Sequence, residues 1–287
     1  MICAIARAAG AAALIAGAAP ASAASLSYVS ALGSDAGDCS NPNRPCRTLV
    51  YAVPRTSAGG EIKTLTPGNY GTPTIDKSLT LTGGPGAMII WAGSGPAVRI
   101  SAGTAGVVVI HGFTLNGLGV AEVGVRIASG GSVVLRNCAI KNFTQVGVQF
   151  KSTTATKFSI EDTFITNVGT YGVQIDKTGA GSATGVIHRS TLIGPGAATG
   201  VYLGPSADAR VSDSLIGFFA FGVYARADAG NALRLTRNTI SQNVRGVLVE
   251  TGGGTVAETA HDNFIAGNSA RDVDAILGAP LTNVGTR

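Results

Sequence analysis

The chain repeats itself, and the length of the repeat excludes most folds. Seven segments, HGFTL, RNCAI, EDTFI, HRSTL, SDSLI, TRNTI and HDNFI, follow one pattern: a polar pair, a small residue, then a closing aliphatic. Those aliphatics are Leu115, Ile140, Ile165, Leu192, Ile216, Ile240 and Ile265, spaced 25, 25, 27, 24, 24 and 25 residues apart. Between them recurs a second motif: VGVRI, VGVQF, YGVQI, TGVYL, FGVYA and RGVLV. Each copy is a short alternating strand that cannot stand alone in water, so the copies must stack on one another. A period in this range marks a solenoid. The Asn and Leu pattern of leucine-rich repeats is absent, helical periodicity is nowhere sustained, and 41 glycines follow no collagen period. What remains is a parallel β-helix, one coil of short strands per period, with equivalent residues laddered at ~4.8 Å.

Alternation assigns the faces of the GV strand. Val148, Phe150, Val173, Ile175, Val201 and Leu203 are expected inside, and Gln149, Gln174 and Tyr202 outside, exposed beside one another. The outward column reads Arg126, Gln149, Gln174, Tyr202, Tyr224, Leu248, and the next reads Ala128, Lys151, Asp176, Gly204, Arg226, Glu250. Amides, tyrosines and cations on one flat sheet suit a sugar chain: aromatic faces stack on pyranose rings, and guanidinium groups bind uronate carboxylates. The other motif carries His111, Arg136, Glu161, His188, Ser212, Thr236 and His261 in one column, beside Gly112, Asn137, Asp162, Arg189, Asp213, Arg237 and Asp262. From Asp162 onward the sign of the second column alternates, which predicts an ion-pair ladder holding register. No His pair has the spacing of a zinc motif, so no metal is assigned.

Residues 1–23 read as a cleaved signal peptide: Arg7, an apolar run from Ala8 to Ala19, and Ala21-Ser22-Ala23 as a small-x-small cleavage site. No later stretch is apolar enough to span a bilayer, so a secreted, periplasmic or extracellular location without membrane insertion is expected. In that oxidising setting Cys39 and Cys46, bracketing SNPNRP, are read as a disulfide. Cys138 falls where other repeats carry Thr163, Ser190 and Ser214 and is read as a small packed thiol. The net charge of +5 includes Arg7, and no run of Lys or Arg tracks a nucleic-acid backbone, which excludes that partner.

The opening YVSALGSDAGDC, followed by PCRTLVYAV, is similar to the start of many secreted right-handed parallel β-helix proteins of the pectin-lyase-like superfamily. There a small strand and a short amphipathic helix cap the first coil; Pro54 interrupts this helix early. The resemblance implies an all-β, single-stranded right-handed parallel β-helix of roughly eight to ten coils with a short N-terminal capping helix. Residues 24–60 form the strand, disulfide loop and cap, and 61–287 the β-helix; Leu49, Ala52 and Val53 are expected over the open end. Between Glu61 and Gly106, EIKTL, SLTLTG, AMIIWAG and AVRIS are strand-like without a fixed period.

The superfamily contains hydrolases, lyases, epimerases and esterases. Hydrolysis needs two carboxyl groups within roughly 5–10 Å. Asp176 and Glu250 lie three coils apart, about 14 Å, and the resembling hydrolases' Asp-Asp and Gly-His-Gly motifs are missing. The esterase type lacks its second Asp. A lyase needs a base beside a uronate carboxylate; Lys151 and Arg226 are the weak catalytic candidates, without calcium, because the family's Asp cluster does not map here. The leading expectation is noncatalytic binding of a polysaccharide, acidic by preference, through Arg126, Gln149, Lys151, Gln174, Asp176, Tyr202, Tyr224 and Arg226, with no cofactor. A calcium-independent lyase and a purely structural or adhesive solenoid are the alternatives.

Overall fold

The computed structural model describes residues 24–177, 180–227, 231–250, 256–260, 262–276 and 282–283. The expected signal peptide and His261 lie outside the described residues. The chain is a parallel β-helix of three sheets. One coil runs Ser132–Arg136 in sheet 1, Ala139–Phe143 in sheet 2 and Val146–Ser152 in sheet 3, then re-enters sheet 1 at Ala155–Glu161. Among the described residues sheet 1 holds eleven strands and sheets 2 and 3 nine each, every pair parallel. The coils of the recurring motif are preceded by those of the Glu61–Gly106 stretch, in which the strands Gly68–Asn69 and Thr74–Ile75 are too short to show in the sequence.

Register follows the repeat. Leu135 faces Ile160, Ile140 faces Ile165 and Val148 faces Val173, so each inward residue lands on its equivalent one coil on. Val148, Phe150, Val173, Ile175, Val201 and Leu203 are all buried. Each such side chain contributes about 1.5–3 kcal/mol relative to exposure.

The glycine of the GV motif is required by packing. A Cβ on Gly172 would sit 2.5 Å from the Gly200 carbonyl oxygen and 3.1 Å from Leu192 Cδ2. On Gly147 it would meet the Gly172 oxygen at 2.6 Å and Ile165 Cγ2 at 2.8 Å. The chain enters sheet 3 at a corner where neighbouring coils touch through backbone, and no side chain fits there.

The N-terminal end is closed as the sequence predicts. Strand Ala24–Val29 pairs with Thr56–Thr64 and extends sheet 1 by one strand. Helix Leu49–Ala52, capped by the Thr48 hydroxyl accepting from Tyr51 N at 3.1 Å, tightens at Pro54 into a 3-10 turn, Val53–Arg55. Leu49, Ala52 and Val53 are buried, and Leu49 N donates to Tyr70 O of the first coil. Cys39 and Cys46 are disulfide-bonded. Covering the first coil removes a row of unpaired backbone groups that would recruit another strand.

Candidate functional site

Polar side chains form ordered stacks at two corners and on the outer face of sheet 3, while sheet 1 carries Arg234 bridged to Asp208 and Glu258. The first corner joins sheets 1 and 2. Asn137, Asp162, Arg189, Asp213 and Arg237 there have φ between 44° and 52°, and Gly112 79°, so the second residue of each polar pair makes a left-handed turn. Gly, Asn and Asp tolerate that conformation and Arg does not. The two arginines are held by bidentate pairs: Arg189 Nε and Nη2 donate to Asp162 at 2.8 Å each, and Arg237 to Asp213 at 2.6 and 2.8 Å. The alternating charges therefore pair off two by two rather than forming one continuous ladder. Each arginine holds its aspartate below the usual carboxylate range.

Ser212, His188 and Asp213 meet in this corner but do not form a nucleophile triad. Ser212 Oγ (2.9 Å) and Asp213 Oδ2 (3.2 Å) both address His188 Nδ1, and Arg189 Nη1 lies 2.6 Å from Nε2. Since Arg only donates, Nε2 accepts, and neither ring nitrogen is left to activate the serine.

Behind the turn lies an inner ladder. Thr163 N donates to Ser190 Oγ, Ser190 N to Ser214 Oγ, Ser214 N to Asn238 Oδ1 and Asn238 N to Asn263 Oδ1, at 2.9–3.2 Å. Cys138 occupies the same position; its thiol is buried, burial pushes its pKa up, and it is a packing residue.

The outer face of sheet 3 carries the predicted column in register: Arg126 faces Gln149, then Gln174, Tyr202, Tyr224 and Leu248, and the register extends back to Arg99. One expectation is corrected. Gln149, Gln174 and Tyr202 are not exposed; they are 4%, 8% and 8% accessible. Stacking at the coil spacing seals them against each other. Arg126 Nε donates to Gln149 Oε1 at 2.7 Å, and Gln149 Nε2 to Gln174 Oε1 at 2.8 Å, so the amides lie along the face instead of projecting from it. Tyr202 is wedged between Tyr171 (ring centroids 4.8 Å apart) and Tyr224 (5.4 Å, edge-on).

Lys151 and Asp176 are register neighbours in the next column, and Arg226 lies two coils beyond Asp176. Lys151 and Arg226 are exposed and Asp176 half-buried. Arg226 is hydrogen-bonded to the Tyr202 hydroxyl, which raises the pKa of the guanidinium. Burial raises that of Tyr202. Tyr224 donates its hydroxyl to Glu250, and burial together with that carboxylate pushes its pKa strongly up. Both tyrosines therefore remain neutral phenols. Among the described residues no group of three His, Cys, Asp or Glu side chains is placed to hold a metal ion.

Sequence reasoning missed the flanking column, in which Tyr171, Thr199, Phe221 and Arg245 are in register. Phe221 packs on Tyr224 with centroids 5.5 Å apart, and the Arg245 guanidinium lies 5.8 Å above Phe221. The signal was available: these residues immediately precede the recurring glycine. Tyr171, Tyr202, Phe221 and Tyr224 thus make one aromatic cluster spanning three coils, with Tyr171, Phe221 and Tyr224 half-buried. Compared with known protein families, curated proteins and solved structures, the chain gives no significant match.

Proposed function

We propose that this is an exported β-helix protein, related to the pectin-lyase-like superfamily, that binds an extracellular or envelope polysaccharide on the outer face of sheet 3 without cleaving it. The observation that carries this reading is the aromatic cluster of Tyr171, Tyr202, Phe221 and Tyr224, flanked by Lys151, Arg226 and Arg126. Three half-buried rings over two coil spacings, about 10 Å, present a stacking surface to a chain lying along the solenoid axis. The surrounding cations favour an acidic chain. Gln149, Gln174 and Tyr202 act beneath the contact surface, holding the exposed rings and guanidinium groups in place. Asp176, the register neighbour of Lys151, balances its charge on the face.

The lyase alternative asks Lys151 or Arg226 to take a proton. The Tyr202 hydroxyl stabilises the charged form of Arg226, the opposite of what a base requires. The disulfide and the absence of a membrane-length apolar helix among the described residues are compatible with export.

The test is to incubate the purified protein with alginate, pectate and neutral polysaccharides, following binding and unsaturated-product absorbance together. Binding of an acidic chain without absorbance growth is expected, weakening as salt is raised from about 50 to 500 mM. A Tyr171→Ala, Tyr224→Ala double variant should bind at least about tenfold more weakly. Product formation lost in Lys151→Ala or Arg226→Ala would establish the lyase instead, and no binding to any glycan would leave a scaffold.

A further inference from the structure

The second corner, between sheets 2 and 3, places a bulky apolar residue in the left-handed region twice, at Leu118 (φ 55°) on an early coil and at Phe218, and only Phe218 stands beside a cleft. The corner's left-handed column holds Asn142, Asn167, Gln242 and Gly267, with φ of 60°, 50°, 59° and 73°, residues that adopt this conformation at low cost or expose a polar side chain there. On the two coils between Asn167 and Gln242 lie Gly194 and then Phe218, at φ 64°. A bulky aromatic in this region is an outlier, and Phe218 gains no burial in return, being 52% exposed. Core packing does not explain it: the adjacent Phe219, 1% exposed, already fills the interior. Strained, exposed residues of this kind cluster where they contact ligands.

A cleft of about 460 Å³ opens beside Phe218. The turn 194–198 is two residues longer than the turns 218–220 and 242–244 on the next two coils, and its overhang with Pro195 makes one wall. Val244, 46% exposed, Gln242 and Ser269 complete the lining over Phe219. The cleft depends on Gly194, where a Cβ would stand 2.3 Å from the Phe219 ring. Among the described residues the lining carries no ionisable side chain. An aromatic face, an apolar wall, an amide and a hydroxyl match one uncharged pyranose ring, with its C–H face on Phe218 and its hydroxyls on Gln242 and Ser269.

We infer that this corner cleft is a second saccharide site, selective for a neutral sugar unit, with Phe218 as its stacking platform. It shares no residue with the sheet 3 face, so the two readings fail separately. The test is saturation-transfer NMR on the purified protein with methyl glucoside, methyl N-acetylglucosaminide and methyl glucuronide as probes, with Phe218→Asn and Phe218→Tyr variants. The wild type should bind one or both neutral glycosides and the glucuronide at least about tenfold more weakly, because no cation lines the cleft. Phe218→Tyr should bind as the wild type does. Phe218→Asn installs the residue found at 142 and 167; it should lose binding about tenfold or more while its Tm rises by about 1–3 °C through relief of the turn. Binding of acidic polysaccharide to sheet 3 should be unchanged in that variant. No saturable neutral-sugar signal, equal binding by Phe218→Asn, or a lowered Tm in that variant would each overturn the inference.

Discussion

The inner ladder at the first corner and the outer column on sheet 3 are both stacks of hydrogen-bonded polar side chains, and they obey different constraints. In the inner ladder each side chain accepts from the backbone N–H of the preceding coil, as Asn238 Oδ1 does from Ser214 N. The left-handed turn leaves those N–H groups without a strand partner, and buried backbone donors must be satisfied. From Thr163 onward Thr, Ser or Asn meets that need, whereas Phe113 and Cys138 fill the position on the two coils before. In the outer column the amides bind each other, Gln149 to Gln174, and satisfy nothing the backbone needs. Side chains the fold does not demand are free to be chosen for what they present to solvent, and this is the face that carries the aromatic cluster.

The largest expected effect falls on the inner ladder. Asn238 is 2% exposed; its amide nitrogen donates to Val211 O at 2.7 Å and to Asn263 Oδ1 at 2.9 Å. Asn238→Ala strips partners from Ser214 N and Val211 O at once, and should cost about 2–4 kcal/mol in urea denaturation. Asn238→Ser, the residue used at 190 and 214, should recover part of that. If alanine costs less than serine, the corner N–H groups have another partner and the contrast with sheet 3 collapses.

Next comes Tyr202, the most enclosed ring of the outer face. Truncation to Ala removes contacts with Tyr171 and Tyr224 and should cost about 2–3 kcal/mol, while Tyr202→Phe, losing only the bond with Arg226, should cost about 0.5–1.5 kcal/mol. Thermal unfolding of the two variants measures both. Binding data on Tyr202→Ala would mix site loss with destabilisation, which is why the half-buried Tyr171 and Tyr224 report better on ligand contact.

These two positions also show what was legible in the sequence and what was not. The period and the alternation of Val173, Gln174 and Ile175 carry sheet membership, register and inward residues, because each depends on local periodicity repeated many times. Accessibility of Gln174 and Tyr202 depends on neighbours one coil away, which alternation cannot report: outward on a stacked sheet is not the same as exposed. The left-handed column was partly legible, since Gly112, Asn137 and Asp162 are its usual residues, but Arg189 and Arg237 masked it. Tyr171 and Phe221 were overlooked because the residue before the glycine shifts between apolar, aromatic and basic identity from coil to coil. Phe218 carries no periodic signal at all; only its backbone conformation marks it.

A smaller effect sharpens the contrast. Replacing Gln149 and Gln174 together by Leu removes the amide pair, leaves no backbone group unsatisfied and releases only the half-buried Arg126 guanidinium to water, so the double variant should change stability by less than about 1 kcal/mol. Either single substitution should cost more than the double, because it strands the remaining amide on a nearly inaccessible face. A double-mutant cycle by chemical denaturation gives the coupling directly. A double variant as damaging as Asn238→Ala would mean that the outer column is as obligatory as the inner one.

The smallest effect belongs to the charged turn itself. Asp162 and Asp213 titrate below the ordinary value of 3.8 because Arg189 and Arg237 donate to them. A carboxylate whose folded pKa is lowered contributes stability that is complete above the unfolded value and disappears as pH falls through the folded one. Tm should therefore be insensitive to these pairs from neutral pH down to about 4 and should decline below it. In an Asp162→Asn, Asp213→Asn variant the decline below that pH should be shallower than in the wild type, with only a slight difference at pH 7. The effect is small because these pairs lie in exposed turns, where solvent and salt screen them. Raising NaCl to about 1 M, where the screening length falls to about 3 Å, should bring the two acid limbs together. Acid limbs that coincide at low salt would mean that the pairs merely decorate the turn and that the backbone holds its left-handed conformation without them.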